Sequence, residues 1–285
     1  MAATKVLIGG GTGFIGHHLG ELLLATGYSV MNVARMPGAN NMSWSELELS
    51  GLPTRTCAVV NCAGQQFMDF TKSWTPGFKQ NVQNSRVFTT KALTKAINES
   101  NDKPKVFVLL TGVGAYEPSD SYRYDETSPS TGGDFFSRLV GEWEKAAQVG
   151  PPVRLVIIRS GAVLGRWGGM IKNMFVPFYL GLGGRIGDGR QYLPWIHIDD
   201  LTRLIHFCIE NDNVKGILNG RPSFFCVPET LLNIALNPER AMIMTKGQYV
   251  VPKRVLEYGF KYQYPEIDEA CKEFAHLYPK KHPLK

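Results

Sequence analysis

The segment whose residue types and spacing most directly imply chemistry is Gly9-Gly10-Gly11-Thr12-Gly13-Phe14-Ile15-Gly16. Within it, Gly10-x-x-Gly13-x-x-Gly16 follows the short apolar run Lys5-Val6-Leu7-Ile8 and opens a stretch with helical apolar spacing. Glycines in this pattern permit a tight turn, let the backbone approach a pyrophosphate, and let the helix lie close to the strand. The helix N-terminus then offers unpaired N–H groups and a partial positive charge to the phosphates. A glycine-rich turn with a purely structural role is the alternative, and the strand–turn–helix context argues against it. The end of the following strand discriminates between dinucleotides. An acid there would bind ribose hydroxyls, whereas this chain has Val33-Ala34-Arg35. A guanidinium fork suits the 2′-phosphate of NADP, so NADP(H) is the expected cofactor. The alternative is a solvated arginine after a strand.

Other reactive side chains point to less. His17 and His18 are neighbours on one helix and cannot comfortably share a metal. No other His, Cys or acidic grouping has ligand spacing, so no metal is expected. The five cysteines, Cys57, Cys62, Cys208, Cys226 and Cys271, include no CxxC pair and are odd in number. They read as free thiols in a reducing compartment.

These residues need elements to position them. Lys5–Ile8 reads as a buried strand, Gly13–Ala25 as a helix ended by Gly27, Tyr28–Ala34 as a second strand and Ala58–Asn61 as a third. Phe78–Ser100 has helical spacing, Val106–Leu110 is a fourth strand, Phe135–Val149 a helix and Arg154–Arg159 a fifth strand. Such alternation predicts an α/β fold with a doubly wound parallel sheet, whose ligands bind at the carboxyl ends of the strands. After Ser160 the pattern changes. Gly161–Arg190 is glycine-rich around the apolar Met170–Leu180, Pro194–Ile198 reads as a short strand, and Asp199–Glu210 as a helix with Asp199 as its N-cap. The expected organisation is a Rossmann core over residues 1–161. Residues 162–285 form a mixed region that completes the core and supplies a smaller substrate side.

The totals narrow the function classes. The chain has 285 residues, 44% of them hydrophobic and 20% charged, which suits an ordinary globular protein. The net charge of +6 is scattered, and the densest basic run is the tail Lys280–Lys285. Without a basic stripe carrying interleaved aromatics, nucleic-acid binding is not expected. No stretch approaches a membrane span, and with the first strand beginning near Lys5 no leader peptide is expected. The cytoplasm is the expected compartment, or mitochondria for a form with a presequence.

Several segments together resemble the extended short-chain dehydrogenase/reductases. These are the opening Gly-Gly-Thr-Gly-Phe-Ile-Gly, Asn61-Cys62-Ala63-Gly64, Asn81-x-x-x-Ser85-Arg86 and Pro194-Trp195-Ile196-His197-Ile198-Asp199-Asp200-Leu201. Thr111-Gly112-Val113, Asp134-Phe135-Phe136-Ser137, Trp143-Glu144 and Leu180-Gly181-Leu182-Gly183-Gly184 are similar to an atypical epimerase-family subgroup. The resemblance implies that Gly10, Gly13 and Gly16, with the amides of Phe14 and Ile15, hold the pyrophosphate, and that Ala34 and Arg35 border the adenosine ribose and its 2′-phosphate. It implies that Cys62, Ala63 and Gly64 pass beneath the adenosine, that Asn81 and Arg86 lie on the helix bordering the cofactor, and that Arg159 approaches the nicotinamide. His197 is expected to shape the cleft. Such folds often pair through a helix in the position of Phe78–Ser100, so a homodimer is one expectation.

The chain departs from the family in two places. A working member uses Tyr-x-x-x-Lys, the lysine lowering the tyrosine pKa for proton exchange with the substrate. Here Phe136 and Val140 stand at those positions, and the accompanying serine falls near Thr111 or Gly112. Thr111 and Tyr116 are the candidates to replace the acid, and Arg138 the candidate for the lost positive charge. After Gly220 a helical segment of the family is missing. The expected function is an NADP-dependent oxidoreductase acting on a small carbonyl or alcohol. The alternatives are an epimerase or dehydratase that oxidises and re-reduces one substrate, and an NADPH-binding sensor or scaffold without turnover.

Overall fold

The computed structural model describes residues 4–68, 72–130, 132–172, 192–221, 224–226 and 247–274. Its elements run β1 (Lys5–Gly9), α1 (Phe14–Ala25), β2 (Ser29–Ala34), β3 (Asn41–Ser43), α2 (Trp44–Ser50), β4 (Thr56–Asn61), α3 (Pro76–Glu99) and β5 (Val106–Gly112). They continue through a 3₁₀ turn (Val113–Ala115), β6 (Ser119–Tyr124), α4 (Phe135–Lys145), β7 (Arg154–Ser160), β8 (Ala162–Gly165), β9 (Tyr192–His197) and α5 (Ile198–Glu210). The last are β10 (Gly216–Gly220), β11 (Phe224–Cys226), β12 (Gln248–Val250), α6 (Lys253–Glu257) and α7 (Ile267–Phe274).

Seven strands form a parallel sheet in the order β10-β7-β5-β4-β1-β2-β3. The order reverses between β1 and β4, which opens a crevice at their carboxyl ends. Side-chain alternation builds a core on each face of this sheet. Val6, Ile8, Val60, Val108 and Ile158 pack with Leu19 and Leu23 of α1 and with Leu201, Leu204 and Ile205 of α5. Leu7, Val59, Phe107, Leu109 and Ile157 pack with Leu47 of α2, Leu93 and Ile97 of α3 and Trp143 of α4. Each fully buried aliphatic side chain contributes about 1.5–3 kcal/mol, so these two layers hold the crevice rigid. Among the described residues no helix is long and apolar enough to cross a membrane.

Some boundaries differ from the sequence reading, for identifiable reasons. α4 stops at Lys145 rather than Val149 because α3 takes over its backbone groups. The Thr94 hydroxyl donates to the Ala146 carbonyl (3.0 Å), and the Asn98 amide bonds both Gln148 O (2.9 Å) and Gly150 N–H (3.1 Å). α5 is capped by His197, not Asp199. Its Nδ1 accepts the Asp199 N–H at 3.2 Å, because the helix begins directly where β9 ends. β3 and α2 were not anticipated, although Ser43 and Glu46 form a capping box at the start of α2.

The chain beyond residue 161 is shared between layers. β10 joins the main sheet, whereas β8, β9 and β11 form a three-stranded sheet and β12 pairs with β6. Buried Asp200 anchors the returning segment by accepting the N–H groups of Gln263 (2.7 Å) and Tyr264 (2.8 Å) and an Arg203 donor (2.9 Å). Most of the apolar Met170–Leu180 segment, and the 227–246 stretch, lie outside the described residues.

Candidate functional site

The glycine turn occupies the mouth of the crevice. Gly10 has φ +73°, and a Cβ there would lie 2.8 Å from Ala63 Cα, so only glycine fits where the β1 and β4 ends meet. Its N–H donates to Val33 O (2.8 Å), which fixes the turn to β2. Gly16 is excluded from side chains for another reason. A Cβ would sit 2.5 Å from Gly10 O and 2.6 Å from Gly11 Cα, so the helix presses directly on the turn. Gly13 caps α1 without any side-chain hydrogen bond, and the first turn contains no acid. The N–H groups of Phe14, Ile15 and Gly16 therefore begin the helix without intrahelical acceptors.

Ala34 is buried at the end of β2, and Arg35 follows it, exposed. Among the described residues no carboxylate pairs with Arg35. Beside it, Asn32 donates to Asn41 Oδ1 (2.9 Å), while its own buried Oδ1 lacks a partner and blocks any side chain at Gly11.

The β4 end is held by side chains from both neighbouring helices. Cys62 N–H donates to Gly9 O (2.8 Å) and Ala63 N–H to Asn61 Oδ1 (3.0 Å). Thr90 Oγ1 accepts from Asn61 Nδ2 and from Trp143 Nε1, both at 2.9 Å. Burial pushes the Cys62 thiol up to about 12, so its sulfur is a neutral wall and not a nucleophile. Gln65 N–H reaches the Ser85 hydroxyl at 2.9 Å. Asn81 is exposed near the start of α3, whereas Arg86 is buried further along it, packed on Gly64.

The second polar group sits at the carboxyl ends of β5 and β7. Arg159 makes a bidentate ion pair with Glu144 (Nε–Oε1 2.8 Å, Nη2–Oε2 2.7 Å), and Thr111 donates to the same Oε1 at 3.1 Å. Burial opposes the Arg159 charge, but Glu144 outweighs it and the net shift is upward. Tyr116 is fully buried beneath the Arg159 guanidinium, with its hydroxyl 3.0 Å from both Asp125 O and Asn219 Oδ1. Burial raises its pKa against the opposing effects of Arg159 and Asn219, leaving a neutral phenol. Phe136 and Val140 are buried. Arg138 turns away to the Gly133 carbonyl (3.1 Å) of the loop before its own helix. The structure thus brings Thr111, Tyr116 and Arg159 together and adds Glu144, a residue that sequence reasoning gave no role. Its signals were its place one turn beyond Val140 on the same helix and its part in the Trp143-Glu144 pair that resembles the family.

His197 is the α5 cap, its ring tilted by 33° against that of Tyr264 with centroids 3.9 Å apart. His18 on α1 meets Asp199 at 2.9 Å and ties the phosphate-turn helix to α5. The turn after β8 lies on Phe14, whose ring occupies the space a Cβ at Gly165 or Gly168 would need.

Known proteins share this fold. Residues 6–219 match the NAD dependent epimerase/dehydratase family, and residues 227–274 match a domain of unknown function, DUF1731. The epimerase family protein SDR39U1 of Mus musculus is 44% identical over 291 positions, covering 94% of this chain and 99% of the relative. The SDR39U1 homolog, chloroplastic, of Arabidopsis thaliana is 32% identical over 301 positions, covering 94% and 85%. A crystal structure of human epimerase family protein SDR39U1 (isoform 2) with NADPH superposes with a TM-score of 0.93 at 42% identity, covering 95% of this chain and 99% of that one.

Proposed function

The chain belongs to the NAD dependent epimerase/dehydratase family, and on that premise we propose that it binds NADP(H) and moves hydride between the nicotinamide and a small carbonyl or alcohol. The observation that carries the cofactor reading is Arg35, exposed and without a carboxylate partner among the described residues, at the strand end where an acid would repel a 2′-phosphate. The human relative crystallised with NADPH supports it. Gly10, Gly13 and Gly16 shape the turn, and the Phe14 and Ile15 amides face the pyrophosphate. Ala34 and Arg35 take the adenosine ribose and its phosphate, with Cys62, Ala63 and Gly64 beneath. Asn81 borders this stretch from α3.

When bound, the cofactor would supply hydride to a carbonyl or take it from an alcohol, and the chain's own residues must give or take the accompanying proton. Thr111 is the hydroxyl at the end of β5. Because it donates to Glu144, its oxygen is left as an acceptor, which suits a substrate hydroxyl. Glu144 is then the sink for that proton in alcohol oxidation and its route back in carbonyl reduction, with Arg159 holding it in place. Arg159 already engages both Glu144 oxygens, and Thr111 shares Oε1, an arrangement that serves to position these groups as readily as to relay a proton. The same observation favours a second reading, an NADPH-responsive sensor without turnover.

The two readings separate in one assay. Protein is incubated with NADPH deuterated at C4 and a panel of small aldehydes and ketones. Deuterium appearing in an alcohol product, lost in Thr111→Val, supports the oxidoreductase. Tight NADPH binding with no label transfer across the panel favours the sensor. A chiral alcohol deuterated at its carbinol carbon that inverts in the presence of NADP+ while keeping its label would instead indicate an epimerase.

A further inference from the structure

Arg86 carries a charge that no carboxylate of the described residues neutralises. It is only 8% exposed. Its hydrogen bond runs from Nη1 to Val82 O, one turn back in α3, at 2.9 Å. The guanidinium lies between two aromatic rings, 5.2 Å from Trp143 and 5.8 Å from Phe67. Burial pulls its pKa down to about 10, so it remains charged at neutral pH. Arg159, similarly buried, has Glu144 in bidentate contact. A buried cation without an anion is costly, and cation–π contacts recover only part of that cost.

Its position bears on function. A Cβ at Gly64 would lie 3.0 Å from the Arg86 Cζ, so glycine lets the guanidinium touch the chain as it leaves β4. Gly64 is exposed and follows Ala63, the residue that touches the phosphate turn at Gly10. Phe67 also contacts Phe136 (centroids 5.3 Å), and Trp74 stacks on Phe136 (5.9 Å, 19°). The cation and an aromatic wall therefore meet where Phe136 replaces the usual tyrosine.

We propose that Arg86 receives an anionic group, a carboxylate or phosphate, carried by a substrate whose apolar part lies against Phe67 and Phe136. The inference rests on the cofactor reading above, and the cofactor's own pyrophosphate is the other source of the same chemistry. Planar, bidentate recognition of such groups is what arginine does best.

The test uses benzoate and phenyl phosphate as anionic probes and benzamide as the uncharged control. Each is titrated into the full chain, with and without NADPH, while the tryptophan emission, to which Trp74 and Trp143 contribute, is followed. NADPH affinity is measured separately by calorimetry for wild type, Arg86→Met and Arg86→Lys, each checked for cooperative melting. The expected result is anion binding at least about tenfold tighter than benzamide, lost by about tenfold or more in Arg86→Met, with NADPH affinity falling by a clearly smaller factor than probe affinity. Arg86→Lys keeps a charge at the buried position. It should weaken the probes by a smaller factor, and it carries the test if the methionine variant does not fold. NADPH affinity falling in step with probe affinity would assign the anion to the cofactor and overturn the proposal, as would equal binding of benzoate and benzamide. If wild type binds the probes through Arg86 but no NADPH, the anion site stands and the cofactor reading fails.

Discussion

A guanidinium and a carboxylate at the end of β2 select opposite cofactors, because the carboxylate repels a 2′-phosphate that the guanidinium fork matches. Arg35→Ala should weaken NADPH binding by about tenfold or more and leave NADH within about twofold, as read by calorimetry. Glu144 has a structural duty as well as a chemical one. Glu144→Ala strands Arg159 in a buried site and should cost about 3–5 kcal/mol in denaturant unfolding, whereas Thr111→Val should cost about 1–1.5 kcal/mol. The contrast in legibility at this scale follows from sequence distance. Gly10, Gly13 and Gly16 act within one turn, so their spacing is visible in the chain. The Glu144–Arg159 pair joins a helix to a strand across 15 residues, and no local pattern announces it. Tyr116, a candidate acid from its place after β5, is packed away instead, because its ring fills the space under Arg159.

α1 shows how an element converts glycine spacing into a site. Gly16 and Gly20 lie one turn apart on it, but their surroundings differ. A Cβ at Gly16 meets the turn backbone at 2.5 Å, while one at Gly20 meets only Val30 Cγ1 at 3.9 Å. Gly16→Val should push α1 off the turn, abolish NADPH binding and lower the melting temperature. Gly20→Ala should raise stability by about 0.5–1 kcal/mol through helix propensity alone and leave NADPH affinity unchanged. Loss of cofactor binding in Gly20→Ala would show that α1 is held by something other than these contacts. Strands were easy to read from sequence because burial on both faces makes them continuous apolar runs, as in Val106–Leu110. Helix ends were harder. α4 ends early because Thr94 and Asn98 of α3 capture its backbone, and α5 is capped by a histidine that belongs to a strand.

Glu126 links the main sheet to the C-terminal segment across the molecule. Buried to 4% exposure, it accepts the N–H groups of Asn219 in β10 (3.0 Å) and Arg254 in α6 (3.3 Å). Burial raises its pKa, against those hydrogen bonds. With a folded value above the unfolded one, its stabilising contribution is present below the ordinary glutamate pKa of about 4.3 and is lost as pH rises through the folded value. Glu126→Gln should therefore gain melting temperature relative to wild type as pH rises from below the ordinary glutamate value towards neutrality; a difference that stays constant with pH would contradict the assignment. The alternation of strands and helices made the doubly wound sheet legible, and β9 reads as a strand, but the sharing of the later chain among three sheets was not legible, since β8 and β12 are short and paired across long separations. The central claim is that this sheet holds NADP(H) through the glycine turn and Arg35. It is tested most directly by titrating the purified chain with NADPH and with NADH in a calorimeter. The account predicts micromolar binding of NADPH with NADH weaker by about tenfold or more; equal affinities, or no binding of either, would contradict it.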